Sequence, residues 1–346
     1  MRSKLRGRWT DENRAFLESL LAHKHNPPPI AIFDWDNTCV NGDTADMVFH
    51  QLCRDLAFRF EAPGFIQWIE ELPVPTRILE CYEFYRARPS HENRAALRFE
   101  FERTRWTLHN SEDDNQAWAW DSGAFVGWKP SEVREYTRRT IARELVQPLR
   151  TEWLEFKGGE TSDVSSRISR GIGIVRSHLV APNVDPIPMV RRGASDDASP
   201  PLHLEISRGL RLRPEMHELV YEMRHVGWQV YIITASPQWE IEAFAERYFI
   251  PSHHVIGMRR SVVNGRIMAQ IEPTVSWGDG KLDAYQMFVT RERPPNFATG
   301  DSIGDWKLLE WATDGALLIE PVHDSLRNYA QWKQSLGERW LIQKFE

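Results

Sequence analysis

The chemistry in this chain starts at Asp34 and Asp36. They flank Trp35 at the end of the apolar run Ala31-Ile32-Phe33, and Thr38 follows two residues on. In an extended segment, residues two apart project to the same side. Two carboxylates placed that way repel each other unless a cation or a proton sits between them. The arrangement suits attack on phosphorus, with Asp34 as nucleophile, Asp36 as acid/base and a divalent metal bridging.

Three further segments supply what such a reaction needs. Thr234-Ala235-Ser236-Pro237 directly follows the apolar run Val230–Ile233. Gly278-Asp279-Gly280-Lys281 leads into a helical pattern. Gly300-Asp301-Ser302-Ile303-Gly304-Asp305 closes a short strand signal over Asn296–Gly300. A phosphate monoester is a dianion and repels an approaching carboxylate. A metal held by Asp34, Asp301 and a backbone carbonyl cancels part of that charge, and an oxygen-only donor set favours Mg²⁺. Lys281 adds a cation beside the phosphoryl oxygens, and the Thr234 hydroxyl can hydrogen-bond them as the centre becomes planar. Asp36, beside another carboxylate, is suited to protonate the leaving alkoxide and later to activate water.

The elements that must position these groups are legible as alternation. Thr10 to His23 reads as an amphipathic helix with Thr10 as N-cap, and Pro27-Pro28-Pro29 delivers the chain extended into Ile30–Phe33. From Asp43 to about Val180 charged segments with helical spacing dominate, such as Arg94–Leu108 and Ser131–Leu145, with Pro130 as a helix start. From residue 205 onward strands and helices alternate, which predicts a mostly parallel sheet whose function collects at the carboxyl ends of its strands. The domains expected are an N-terminal helix and Pro linker (1–29), a core (30–42 and 205–325), a helical insertion (43–181), a polar linker (182–204) and a C-terminal helix (326–346). Asn264-Gly265 between Val262-Val263 and Arg266-Ile267 signals a type I′ hairpin, read as part of the core.

Composition narrows the class. A net charge of −6 over 346 residues argues against a general nucleic-acid binder. No run approaches the roughly 18 apolar residues of a membrane span. Three cysteines without a C-x-x-C pattern suit a reducing compartment, and no apolar stretch follows the basic N-terminus. The expectation is a cytoplasmic protein with no membrane or nucleic-acid partner; the oligomeric state stays open.

The four segments, in this order, resemble the haloacid dehalogenase superfamily of phosphatases. The stretch from Asp34 to Asp43 is most similar to its phosphoserine phosphatase branch and to the related phosphorylcholine phosphatases. The resemblance implies an α/β fold, a Rossmann-like parallel-sheet core with a large helical C1 cap insertion, together with Mg²⁺ and a phospho-aspartate intermediate. Asp34 matches the nucleophile, Asp36 the acid/base, Thr234 the hydroxyl of the second motif and Lys281 the lysine. Asp34, Asp36, Asp301 and Asp305 form the metal set. Asp43, Ser236, Trp118 and Trp120 are the candidate substrate-binding residues. Asp43 sits at the cap entrance, and Trp118-Ala119-Trp120-Asp121, read as extended, puts two rings on one side beside an acid. Two aromatic faces and a carboxylate are what an ammonium site needs. The function expected is Mg²⁺-dependent hydrolysis of a small phosphate ester, one bearing an amine or ammonium such as phosphocholine or a phosphoserine-like ester being a natural fit. A phosphotransferase using the same residues and a non-catalytic binding protein of the same fold are the rivals.

Overall fold

The computed structural model describes residues 5–72, 76–111, 114–155, 203–273, 275–319 and 324–345. The linker expected over 182–204 lies almost wholly outside them. The described chain divides into two compact units. The first comprises residues up to Thr44 with Leu210–Arg259 and Ile271–Glu346; the second comprises Ala45–Gly209 with Arg260–Gln270.

The first unit is built on a six-stranded sheet. Its spatial order is Trp340–Gln343, Gly315–Ile319, Phe297–Gly300, Ile30–Phe33, Gln229–Pro237 and Val255–Met258, and every neighbouring pair runs parallel. Ile30–Phe33, Phe297–Gly300 and Gly315–Ile319 are buried along their whole length. That is how a parallel strand covered by helices on both faces must read, and it explains why these runs are apolar without alternation. Ile30–Phe33 lies at the centre, with Phe33 opposite Thr299 on one side and Ile232 on the other. The chain leaves the carboxyl ends of all three strands side by side, and this places the site.

The two ends of the chain join this unit. The N-terminal helix runs Asp11–Ala22, and the Thr10 hydroxyl accepts the Asn13 amide. Asn13 in turn donates to the Ile342 carbonyl and the Gln343 side chain. The C-terminal segment read as one helix is a helix, Asp324–Ser335, followed by the edge strand Trp340–Gln343. Gly337, at φ +78, breaks it.

The second unit is mostly helical, with helices Thr44–Asp55, Phe65–Glu70, Ile78–Ala87, His91–His109, Asp114–Asp121 and Pro130–Glu144. Thr44, the first residue of the first of these, belongs to the sheet unit. The last begins at proline, and the Lys129 amide donates to Glu132. An antiparallel pair, Arg150–Glu155 with His203–Arg208, is also part of it. So is the hairpin Arg260–Val263/Arg266–Ile271, whose Asn264 and Gly265 have φ of 51° and 75°, as a type I′ turn requires. The hairpin was expected in the core; up to Gln270 it belongs instead with the helices. The Gly127 amide donates to the Ile267 carbonyl and the Ile267 amide to Trp128. The buried Arg260 side chain donates to the Ser122 hydroxyl and the Ala119 carbonyl.

Candidate active site

Asp34 is the residue after Ile30–Phe33, and its amide donates to the Thr299 carbonyl, so the neighbouring strand fixes its backbone. Asp301 is the residue after Phe297–Gly300. Gly300 is required between them and Asp305: a Cβ there would lie 2.4 Å from the Asp305 Cβ. Asp305 folds back over the strand end, where its Oδ2 accepts the amides of Asp301 and Ser302 and the Ser302 hydroxyl. Gly280 is required at the start of the Asp279–Phe288 helix, where a Cβ would meet the Val275 carbonyl oxygen. That close approach lets Lys281 enter the site.

Lys281 Nζ lies 2.7 Å from Asp34 Oδ1 and 2.5 Å from Asp305 Oδ1, with all three side chains buried. Asp34, Asp301 and Asp305 each offer an oxygen within 4.8 Å of the others. Asp301 Oδ1 accepts the Thr38 hydroxyl at 3.2 Å. Among the described residues, neither Asp34 Oδ2 nor Asp301 Oδ2 receives a protein hydrogen bond. Burial pushes the Asp34 carboxyl up to about 7; Asp305 and Asp36 add to it against the pull of Lys281. Burial, with Asp34 and Asp305 alongside, also raises Asp301 well above the usual carboxylate range. On Lys281 burial works the other way, but Asp305 and Asp34 outweigh it and the ammonium is held firmly charged. Three buried carboxylates around one ammonium leave an excess of negative charge among hard oxygen donors. That donor set fits a divalent cation of the Mg²⁺ kind.

Asp36 points elsewhere. Its Oδ1 accepts the Thr44 amide at 2.7 Å and its Oδ2 the Ser236 hydroxyl at 2.6 Å. Its carboxylate is therefore not among the clustered acids Asp34, Asp301 and Asp305, against its expected place in the metal set. The loop that brings it there turns tightly. Asn37 sits at φ 56° and Gly42 at φ 100°, the Cys39 amide donates to the Trp35 carbonyl, and Arg213 donates to the Asn37 carbonyl.

Thr234 lies within the strand Gln229–Pro237 rather than beyond it. Its hydroxyl oxygen accepts the Ser236 amide at 3.2 Å, and its carbonyl accepts the Ser276 hydroxyl, which ties this strand to the segment before Lys281. Ser276 was not anticipated; only its place two residues before Gly278 marked it. Asp43 is half-buried at the position preceding the Thr44–Asp55 helix.

The two tryptophans do not form a cage. Asp114–Asp121 is helical rather than extended, so Trp118 and Trp120 face different ways. Trp120 is buried, stacked on Trp68 with ring centroids 4.9 Å apart. Trp118 meets the edge of His109. The Asp121 carboxylate is already engaged by Arg105 and His109, each at 2.9 Å. Burial alone would raise its pKa, but those two neighbours hold it below the usual range.

Residues 187–310 match the family of haloacid dehalogenase-like hydrolases. The match contains Thr234, Lys281, Asp301 and Asp305; Asp34 and Asp36 lie outside it and reach the same strand ends through the sheet. Fold, family match and clustered acids together make the sheet-bearing part of the chain similar to a hydrolase of the haloacid dehalogenase type. Among solved structures the chain is similar to a conserved functionally unknown protein from Anaerococcus prevotii DSM 20548. Identity is 17%, the TM-score is 0.72, and 98% of this chain and 94% of that one are covered. A protein of unknown function from Bordetella pertussis Tohama I aligns with 15% identity and a TM-score of 0.51, over 90% of this chain and 97% of that one. A substrate-bound phosphoserine phosphatase aligns with 11% identity and a TM-score of 0.39, over 88% of this chain and 91% of that one. No curated protein matches the chain.

Proposed function

We propose that the chain is a Mg²⁺-dependent phosphomonoesterase that acts on a small phosphate ester through a phospho-aspartate at Asp34. The observation that carries the reading is the convergence of Asp34, Asp301, Asp305 and Lys281 at adjoining strand ends, with Asp36 two residues on from Asp34, accepting the Thr44 amide and the Ser236 hydroxyl. Asp34 and Asp301, with the Asp36 carbonyl, are the residues that would hold the cation, and Asp305 fixes Lys281 and the loop beside them. When bound, the cation supplies charge neutralisation between the dianionic ester and the attacking carboxylate.

The protein's own groups do the rest. Asp34 attacks phosphorus, and the ester oxygen leaves with the proton that Asp36 supplies. Lys281 holds Asp34 and offsets the charge of the transferring group. Asp36, now a carboxylate, takes a proton from the water that hydrolyses the acyl phosphate. Selectivity must come from outside this set, because these groups fit any phosphoryl. Trp118 and Trp120 supply no ammonium cage, since their rings diverge and Asp121 is paired. Cys39, Cys53 and Cys81 are buried and unpaired, which suits action in the reducing cytoplasm.

The test is a turnover screen of small phosphate esters with Mg²⁺, scored for free phosphate and, with an added alcohol, for a new ester. Phosphate release that EDTA abolishes and Mg²⁺ restores is the expected result. Ca²⁺ should support little turnover, because its larger, looser coordination misplaces the attacking oxygen. Phosphoryl transfer to the alcohol in preference to water would make the chain a phosphotransferase. Full turnover in chelated, metal-free protein would end the metal assignment.

A further inference from the structure

We propose that Ser236 is a positioning residue for Asp36 and not a substrate contact. The inference rests on the phosphatase reading and deepens it. The Ser236 hydroxyl is buried at 2% exposure and donates to Asp36 Oδ2 at 2.6 Å. The Thr44 amide donates to Asp36 Oδ1 at 2.7 Å. A carboxylate on a single hydrogen bond keeps a broad, roughly two-fold terminal torsion. One donor on each oxygen removes that freedom.

Ser236 can act as a fixed clamp because its own backbone is held. Its amide donates to the Thr234 hydroxyl oxygen at 3.2 Å, and Pro237 follows it at the strand end. Its carbonyl lies against Gly257, where a Cβ would approach to 2.5 Å. The second clamp, the Thr44 amide, is itself steadied, because the Trp35 indole donates to the Thr44 hydroxyl at 3.2 Å. Asp36 is thus held by one donor from each side of the site, both on rigid elements, which is how an acid/base is kept aligned on a reacting atom.

The step concerned balances as follows. The ester P–O bond breaks as the bond from Asp34 to phosphorus forms. The electron pair goes to the leaving oxygen, which takes the proton from Asp36. Ser236 gains and loses nothing; it sets only where the Asp36 carboxyl points. A hydroxyl that touched the substrate would act on binding, whereas a hydroxyl that aims Asp36 acts on protonation of the leaving group.

The two roles separate with a pair of esters. With glycerol 2-phosphate the leaving alkoxide needs its proton, while with 4-nitrophenyl phosphate the leaving phenolate does not. Ser236→Ala is expected to lower kcat/KM on glycerol 2-phosphate, which covers the steps up to loss of the leaving group and excludes the water step both esters share, by roughly ten- to a hundredfold, part of the ~10²–10⁴ that a general acid contributes. On 4-nitrophenyl phosphate the fall in kcat/KM is expected to be less than about threefold, since that leaving group draws little on the acid. Ser236→Thr, which keeps the hydroxyl, should restore the alkyl ester. Ser236→Cys, with its weak donor, should resemble the alanine variant and serves if that one folds poorly. Equal losses of kcat/KM on both esters would overturn the assignment while leaving the phosphatase in place. Wild-type protein that hydrolyses neither ester with Mg²⁺ would remove both.

Discussion

Lys281 answers two of three buried carboxylates with one ammonium, and that imbalance makes the charge of the proposed nucleophile testable at the scale of one residue. Asp34→Asn keeps the shape and an oxygen for Lys281 but removes the negative charge that attacks phosphorus in the proposed reaction. Lys281 keeps Asp305, so folding should survive. Turnover is expected to fall by several orders of magnitude. More than about a tenth of wild-type kcat, with deamidation excluded by mass spectrometry, would refute the assignment, because loss of a nucleophile is not compensated elsewhere. These residues were legible in the sequence because their positions follow from backbone rules: strand ends for Asp34 and Asp301, a glycine-led helix start for Lys281. The Ser236 role was not legible. It depends on which oxygen of Asp36 the hydroxyl reaches, and residues 200 positions apart in the chain set that distance.

Elements fail or succeed in prediction according to the period assumed for them. Trp118 and Trp120 share a side only if Asp114–Asp121 is extended; in a helix two residues span about 200° and the rings part. The hairpin signal at Asn264-Gly265 was right in type, but no local pattern shows which unit a hairpin packs against. Its attachment is carried by Arg260, held by Ser122 and Ala119, which are distant in sequence. The same holds for Glu144 at the end of the Pro130–Glu144 helix. Its side chain is 0% exposed, ion-paired to Arg208, which is 4% exposed, and its Oε2 accepts the Gly209 amide at 3.0 Å. Nothing in the sequence pairs residues 64 apart. Glu144→Ala leaves a buried guanidinium and a buried amide without their acceptor. A cost of about 3–5 kcal/mol is expected, as for other broken buried pairs. Urea unfolding of the variant checks it, and a loss under about 1 kcal/mol would show that the pair stays solvated.

At the scale of the whole molecule, stability should depend on acid in a direction that the helical unit sets. Three carboxyls there, Asp46, Glu102 and Asp121, are held below their ordinary values. Burial opposes this in each, but Arg105 outweighs it for Asp46 and, with His109, for Asp121, while His50 does so for Glu102. A carboxyl whose folded pKa is depressed binds fewer protons folded than unfolded near that range. Its stabilisation is complete above the unfolded value, 3.8 for Asp121, and is lost as pH falls through the folded value. The helical unit should therefore loosen progressively once pH drops below the ordinary carboxylate range. Amide exchange in segments 91–109 and 114–121, followed from neutral pH downward and corrected for intrinsic rates, reads it directly. Asp121→Asn removes one of the three charges and leaves Arg105 facing Asp46, which it contacts at 2.7 Å. The variant should be less protected than wild type at neutral pH, with the gap narrowing as both are acidified. A gap that stays constant down through the carboxylate range would mean that the Asp121 pairing contributes through shape alone and that its charge is not what holds these helices together.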